Sequence, residues 1–439
     1  MDKATLPAAK AAAYESAVLP NGLTVLVHPM PDFTSVHAVY GTKFGSIDRS
    51  FVLNGTRIDV PAGVAHFLEH KMFESEKGDA FTLYAKTGAA ANAYTSFDKT
   101  CYIFTATNRI EENLDILLDF VSHPRFTKET VAKEQGIIGQ EIKMYDDSPD
   151  WRLMFSAYQC LYHNHAVCDD IAGSVESIAE ITPEMLYACT DAFYRPENMV
   201  LSVAGNVTLQ TVLDACARDE IPAKTGVVER IVPPEPEEIA SSGATFTMAV
   251  SKPQLGLAFK ETPITGTPDE VLKSEIICDM LTELVCGAMT PLYRRLYDEG
   301  LASSDFSGEF LNLAGATCIL FGGETSQPEK VRTLLLAEIA RLREHGADAE
   351  LFTLCKNLMY GELVQDLETV DDVATGMAGA FFKGRTPAQE METLAALTVD
   401  DVNAALKTML REERSATVII RPSGDAPETD EDAEKNETI

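Results

Sequence analysis

His66 and His70 stand four residues apart in GVAHFLEHKMFE, residues 63 to 74, with Glu69 just before the second histidine. On a helix, positions four apart share a face, so the two imidazoles can meet one metal ion. Glu69 lies one turn after His66 on the same flank and can reach a water at that ion without ligating it. This H-x-x-E-H order reverses the commoner H-E-x-x-H. The chemistry it suits is metal-assisted hydrolysis with Zn2+ as cofactor, one ion per chain. Either histidine alone reads as a helix residue that meets solvent or a carbonyl. The triplet together argues otherwise, and Gly63 and Ala65 permit close packing around it. A catalytic zinc needs a third protein ligand and an open position. In VAKEQGIIGQEIKMYDDSPDW, Glu134 and Glu141 are seven apart, two turns along one helix face. Glu141 is the candidate third ligand and Glu134 an outer carboxylate that orients a ligand. A solvated acidic face is the competing reading. Asp146 and Asp147 are rival ligands, although DDSP looks like a helix end.

A second stretch, GAAANAYTSFDKTCYIFTA, follows that histidine helix. Its small residues let another backbone come close, as at an edge that receives an extended peptide. Asn92, with Ala93 and Tyr94 after it, is the candidate substrate-binding segment; an ordinary strand entry is the alternative. The tract LYHNHAVCD holds His163, His165 and Cys168, but no partner cluster follows it, so it reads as a loop or substrate-region segment rather than a second metal site.

These residues need a scaffold, and the bulk numbers bound it. The 439 residues are 45% hydrophobic and 24% charged, which suits a soluble globular protein of more than one domain. A formal net charge of −32 repels phosphates and anionic lipid, so nucleic acid and membrane are excluded as default partners. The nine cysteines are odd in number, form no C-x-x-C and sit mostly in apolar runs, as buried free thiols would in a reducing compartment. No signal-peptide core and no run of about 18 apolar residues is present, which makes a cytoplasmic location the simplest expectation.

RIVPPEPEEIASSGAT divides the chain into 1–229, a linker over 230–245, 246–424, and an acidic tail over 425–439 expected to be disordered. The halves look related: Thr100-Cys101 aligns with Thr317-Cys318, 217 residues on, and Phe104, Glu112 and Leu117-Leu118 fall on Phe321, Glu329 and Leu334-Leu335. Each copy reads as a strand, a turn and an amphipathic helix, the signature of a duplicated α+β unit. NGLTVLVHPM and SVHAVYGTKFG read as strands joined by a turn, MVLSVAGNV as a strand, and EITPEMLYACTDAFY as a helix capped by Thr182 with Pro183 in its first turn. The same offset carries His66 to Glu283, Glu69 to Cys286 and His70 to Gly287, and it finds no carboxylate pair near LCKNLMYGELVQD. Chemistry therefore belongs to the first half.

NGLTVLV, GVAHFLEH, GAAANAYTS, KEQGIIGQEI and YRPENMVLSVAGNV together resemble the insulinase or pitrilysin family of zinc peptidases, the inverzincins, and most closely its bacterial YmfH-like branch. The resemblance implies two homologous α/β-sandwich domains, each an antiparallel sheet with helices packed on it, that face each other. It implies zinc on His66, His70 and Glu141, Glu69 as general base, Glu134 as second carboxylate, and peptides or unfolded segments as substrate for an endopeptidase. Full chambers in this family need four such domains, so a homodimer, or a heterodimer with a same-fold subunit, is expected. A later segment of active relatives supplies an Arg and a Tyr. Here RRLYDEGLASSDFSG puts Tyr297 and Ser303 in those places, with Arg294 or Arg295 as substitutes, which favours a partner that completes the site. The rival reading is a peptide-binding or processing-complex subunit with little activity alone.

Overall fold

The computed structural model describes residues 12–75, 78–219 and 221–423; the acidic tail expected over 425–439 lies outside them. The first half builds a six-stranded sheet from β1 (Glu15–Val18), β2 (Thr24–Pro29), β3 (Val36–Thr42), β4 (Ala90–Thr95), β5 (Thr100–Ala106) and β6 (Met199–Gly205), in the order β1-β2-β6-β3-β5-β4. The second builds a five-stranded sheet from β7 (Gly243–Met248), β8 (Gln254–Glu261), β9 (Ser307–Leu313), β10 (Ala316–Glu324) and β11 (Ser415–Pro422), in the order β7-β11-β8-β10-β9. Apart from β1 the sheets match strand for strand. Each is antiparallel except for one parallel pair, β2 with β6 and β7 with β11. The expected duplication is therefore a duplication of topology. One local expectation changes: β2 and β3 are joined by a short turn but do not pair, because β6 enters between them.

The helices that matter for the site are α1 (Val64–Met72), α2 (Ile110–Ser122), α3 (Lys128–Asp146), α4 (Pro149–Leu161), α5 (Pro268–Cys286), α6 (Pro291–Asp298), α7 (Pro328–His345), α8 (Ala349–Gln365) and α9 (Val370–Phe382). Side-chain oxygens hold several of their starts. Thr127 caps α3, Ser148 caps α4 ahead of Pro149, and Asp348 and Thr369 cap α8 and α9. Thr182 caps Pro183–Phe193 as its sequence predicts.

The central strands of each sheet are buried on both faces, which explains why β3, β6, β8 and most of β10 are continuous buried runs rather than alternating ones. Val25 and Val27 of β2 join the core beneath α1 and α2, while Leu26 between them joins the core on the other side. That other side is covered by a helix of the opposite half. α9 lays Val370, Val373, Met377 and Phe382 over the first sheet, and α4 lays Leu153, Ala157 and Leu161 over the second. Glycines make the room. The Phe382 ring would lie 3.0 Å from a Cβ at Gly41, and Leu153 would lie 3.2 Å from one at Gly256. Burying each such apolar side chain is worth roughly 1.5–3 kcal/mol, as an upper estimate.

The proline-rich run between the halves is stapled down. The Glu235 carboxylate accepts from the backbone N–H groups of His163, Asn164 and His165 and from the buried Lys260 ammonium at 2.8 Å. That contact fixes the LYHNH loop. His165 donates and accepts within it, through Nε2 to the Ala314 carbonyl at 2.8 Å and Nδ1 from the Val167 N–H at 3.1 Å, as a loop histidine rather than a metal ligand. Among the described residues no single helix is long and apolar enough to cross a membrane.

Candidate metal centre

α1 is buried nearly all round, so its position is set by its packing rather than by one face. Its N-terminus is held by close backbone contact. Gly63 adopts φ 88°, and a Cβ there would come within 2.4 Å of the Ala172 carbonyl oxygen, so only glycine fits. α3 packs against α1 and is tied at its own flank by Gln135, whose amide donates to the carbonyls of Ile178, Ala179 and Ile181.

The consequence is convergence. One ligand atom each of His66, His70 and Glu141 lie within 4.8 Å of one another. His66 Nε2 is 3.6 Å from Glu141 Oε1, and His70 Nε2 is 3.5 Å from Glu141 Oε2. Two imidazoles and one carboxylate are the donor set of an open catalytic zinc site, so the residues fit the ion that the sequence implies. Asp146 and Asp147, the rival ligands, instead end α3 at the surface, where Asp146 faces Arg152.

A second layer supports the first. Glu134 Oε1 lies 3.1 Å from His70 Nδ1, which leaves Nε2 facing the cluster. Tyr145, one turn beyond Glu141, donates to Glu141 Oε1 at 2.9 Å, and its ring stacks on Trp151 at 4.9 Å. The neighbouring His66 imidazole and the Tyr145 hydroxyl hold the Glu141 carboxyl down to about 2 against the opposing effect of burial. Burial would raise Glu134 too, but His70 and Lys71 outweigh it and keep the group below the usual range. Burial depresses His70, and the surrounding carboxylates, Glu134 foremost, more than reverse that.

Glu69 is different. It is buried, and burial pushes its carboxyl up although His66 and the Thr95 hydroxyl act the other way. Thr95, at the end of β4, donates to Glu69 Oε2 at 2.7 Å. Among the groups that sequence reasoning missed, Tyr145 had a visible signal, its helical spacing of four from Glu141. Thr95 and the buried Lys71 had none.

The proposed substrate segment lies on β4, the edge strand of the first sheet opposite β1. Ala93 packs with the helix-side core, and Tyr94 packs on the opposite face beneath α9. Asn92 is exposed, and its Oδ1 accepts from the Ala93 N–H. Arg294 and Arg295 on α6 pair with Asp298 of the same helix and with Glu299 just past its end, Tyr297 is exposed, and Ser303 donates to the Glu324 carbonyl. Neither arginine is drawn toward the metal cluster.

The second half repeats the site in altered form, and here the uniform offset misplaces the counterparts. β9 pairs Asn312 with Thr317 as β4 pairs Thr95 with Thr100. Thr95 donates to Glu69, and Asn312 Nδ2 donates to Glu275 at 2.8 Å. Glu275 is thus the counterpart of Glu69, which sets Leu272 and Ile276 in the places of His66 and His70, and Ile277 in that of Lys71. The shift arises because residues 43–63 precede α1, whereas only 262–267 precede α5. The caps Thr127 and Asp348 put Cys355 opposite Glu134 and Glu362 opposite Glu141. Two carboxylates remain, without imidazoles. Glu275 is held by Asn312, Lys383 and Arg385, and these outweigh its burial and keep its carboxyl low.

The insulinase (peptidase family M16) profile matches residues 51–174, and the peptidase M16 inactive-domain profile matches residues 180–359. The chain is 35% identical over 407 residues to YmfH, an uncharacterized zinc protease of Bacillus subtilis, across 92% of this chain and 95% of that one. The crystal structure of an M16-like peptidase from Alicyclobacillus acidocaldarius superposes with a TM-score of 0.89 at 33% identity, covering 94% of this chain and 98% of that one. The periplasmic protease PqqL of Escherichia coli shares the fold at 18% identity and a TM-score of 0.74; the match covers 96% of this chain but 48% of that one.

Proposed function

The chain belongs to the insulinase (M16) peptidase family, and we propose that it is a zinc-dependent endopeptidase acting on peptides or unfolded segments. The observation that carries this reading is the convergence of His66, His70 and Glu141 beside the buried Glu69. Zinc, when bound, supplies Lewis-acid polarisation of the scissile carbonyl and makes a water acidic enough to attack near neutral pH. Glu69 would take a proton from the attacking water and pass it to the leaving amine. Its burial favours the neutral form, which makes the carboxylate a stronger base than an exposed one. Thr95 fixes one of its oxygens. Glu134 holds the His70 ring, and Tyr145 holds the Glu141 carboxylate. An extended peptide adds along the edge strand β4, where Asn92, Ala93 and Tyr94 lie.

A second copy, or another subunit of the same fold, completes the site. Two features support this: the family arginine and tyrosine are replaced by Tyr297 and Ser303, and the match to PqqL spans only about half of that protein. A cytoplasmic setting accords with nine cysteines that form no disulfide. The test is cleavage of a library of unfolded peptides by the parent chain and by Glu69→Gln, with and without chelator, read by mass spectrometry. Chelator-sensitive cleavage by the parent and none by a zinc-loaded Glu69→Gln is expected. Equal cleavage by both would refute the assignment of Glu69.

A further inference from the structure

We infer that Lys71 is a positioning residue for the metal centre: it pins the Glu134 carboxylate, and Glu134 in turn sets the His70 ring. This rests on the zinc reading above and extends it to a residue outside the ligand set. Lys71 follows His70 on α1, and its side chain is 0% exposed. Its ammonium lies between two carboxylates, 2.8 Å from Glu74 Oε2 and 3.5 Å from Glu134 Oε2. The other Glu134 oxygen, Oε1, is 3.1 Å from His70 Nδ1. One carboxylate therefore spans an ammonium and an imidazole, one oxygen to each.

A lysine is almost never wholly buried unless paired, because desolvating its charge is costly. An apolar side chain would fill this slot without that cost. The second half has one there, Ile277, and in that half the carboxylate has gone as well, since Cys355 stands in the register of Glu134. Across the duplicated helices the ammonium and the carboxylate are present together or absent together. Donor counting supplies the reason. His70 presents Nε2 to the ion, so Nδ1 must carry the hydrogen and give it to an acceptor. Glu134 is that acceptor, on a flexible side chain that could swing out of line. The Lys71 contact fixes its second oxygen and so fixes the plane of the first.

The test is zinc affinity of the full chain, by competition with a chromophoric chelator, for the parent, Lys71→Met, Glu134→Gln and the double variant. Lys71→Met is expected to weaken zinc binding by about tenfold or more. The double variant is expected to bind as Glu134→Gln does, because Lys71 acts through Glu134. A general packing defect would instead add its loss in either background. Affinity of Lys71→Met within about twofold of the parent overturns the inference, as do losses that multiply in the double variant. Should Lys71→Met fail to fold because it strands the Glu134 charge, the double variant against Glu134→Gln decides alone, since removing both partners is better tolerated than removing one. A parent that binds no zinc overturns the zinc reading and this inference together. A parent that binds zinc beside an unaffected Lys71→Met overturns this inference only.

Discussion

The two halves place a glutamate at the same point of the fold and put it to opposite uses. Glu69 and Glu275 each lie on the helix behind an edge strand, and each accepts a hydrogen bond from that strand, from Thr95 and Asn312 respectively. Around Glu69 stand two imidazoles and no lysine or arginine pair, so its burial is only partly offset and its carboxyl rises. Around Glu275 stand Lys383 and Arg385, with leucine and isoleucine where the imidazoles would be, and its carboxyl is held down. Opposite the cluster, Glu141 and Glu362 are also paired by register. The duplicated fold retains two of the three carboxylates of the site, those at the places of Glu69 and Glu141. What separates the halves is the two histidines and the Lys71–Glu134 pair behind them.

Exchanging the histidines tests that statement most severely. His66→Leu with His70→Ile brings the second half's side chains into the first. Metal content by mass spectrometry should fall to zero and peptide cleavage to background, because one carboxylate alone does not hold zinc. In the reverse exchange, Leu272→His with Ile276→His, zinc stoichiometry should stay at one, since Cys355 offers no carboxylate to fix an imidazole. A second equivalent of zinc would show that the histidines are the entire difference.

Neutralising each glutamate gives the next largest contrast. Glu69→Gln should keep zinc and lower cleavage by about 10²–10⁴-fold. Its stability in the metal-free chain should change by less than about 1 kcal/mol, because a single neutral donor is involved. Glu275→Gln should leave cleavage close to that of the parent and cost about 2 kcal/mol in denaturant unfolding, because it removes one of the two carboxylates on the Arg385 guanidinium and leaves only Glu390. A Glu275→Gln chain that is fully stable but inactive would reverse the roles of the two glutamates.

Much of the first half's site was legible because it is local. The spacings within His66–Glu69–His70 and Glu134–Glu141 are helical, and helical periodicity states which groups share a face. The second half's version was not legible. A uniform offset read from β5 and β10 holds for β4 with β9 and for α2 with α7 but slips elsewhere, at the longer entry to α1 and again at α8, so for Glu69 it pointed to Cys286 rather than Glu275. The exchange of α4 and α9 was equally hidden. An apolar helix face states that it is covered but not by which sheet, and β6 entering between β2 and β3 is a long-range pairing with no local signal.

The exchanged helices bind the comparison together, because neither sheet is covered without the other half. Leu153→Ala and Phe382→Ala each open a cavity against the opposite half's sheet and should cost about 3 kcal/mol. Urea unfolding followed by Trp151 fluorescence and by far-UV circular dichroism should give one shared midpoint for the parent and for both variants, each shifted down together. Separate midpoints in either variant would show that the halves fold as independent units and that the exchange is only a surface contact.

The smallest effect is the pH dependence of the Glu275 contribution, and its sign follows from the groups that face it. Asn312, Lys383 and Arg385 favour its ionised form, while burial and the nearby Asp279 oppose it; the balance lowers its folded value. A carboxyl lowered on folding adds stability that is fully present above its unfolded value of about 4.3 and is lost as pH falls through the folded value. The stability gap between parent and Glu275→Gln should therefore be full at neutral pH and close progressively below about pH 4. The gap at the Leu153→Ala site has no ionising group behind it and should hold constant over the same range. A Glu275 gap that stays open at low pH would mean that the carboxylate is held by shape and neutral hydrogen bonds, and that Lys383 and Arg385 are not what replaced the metal chemistry in this half.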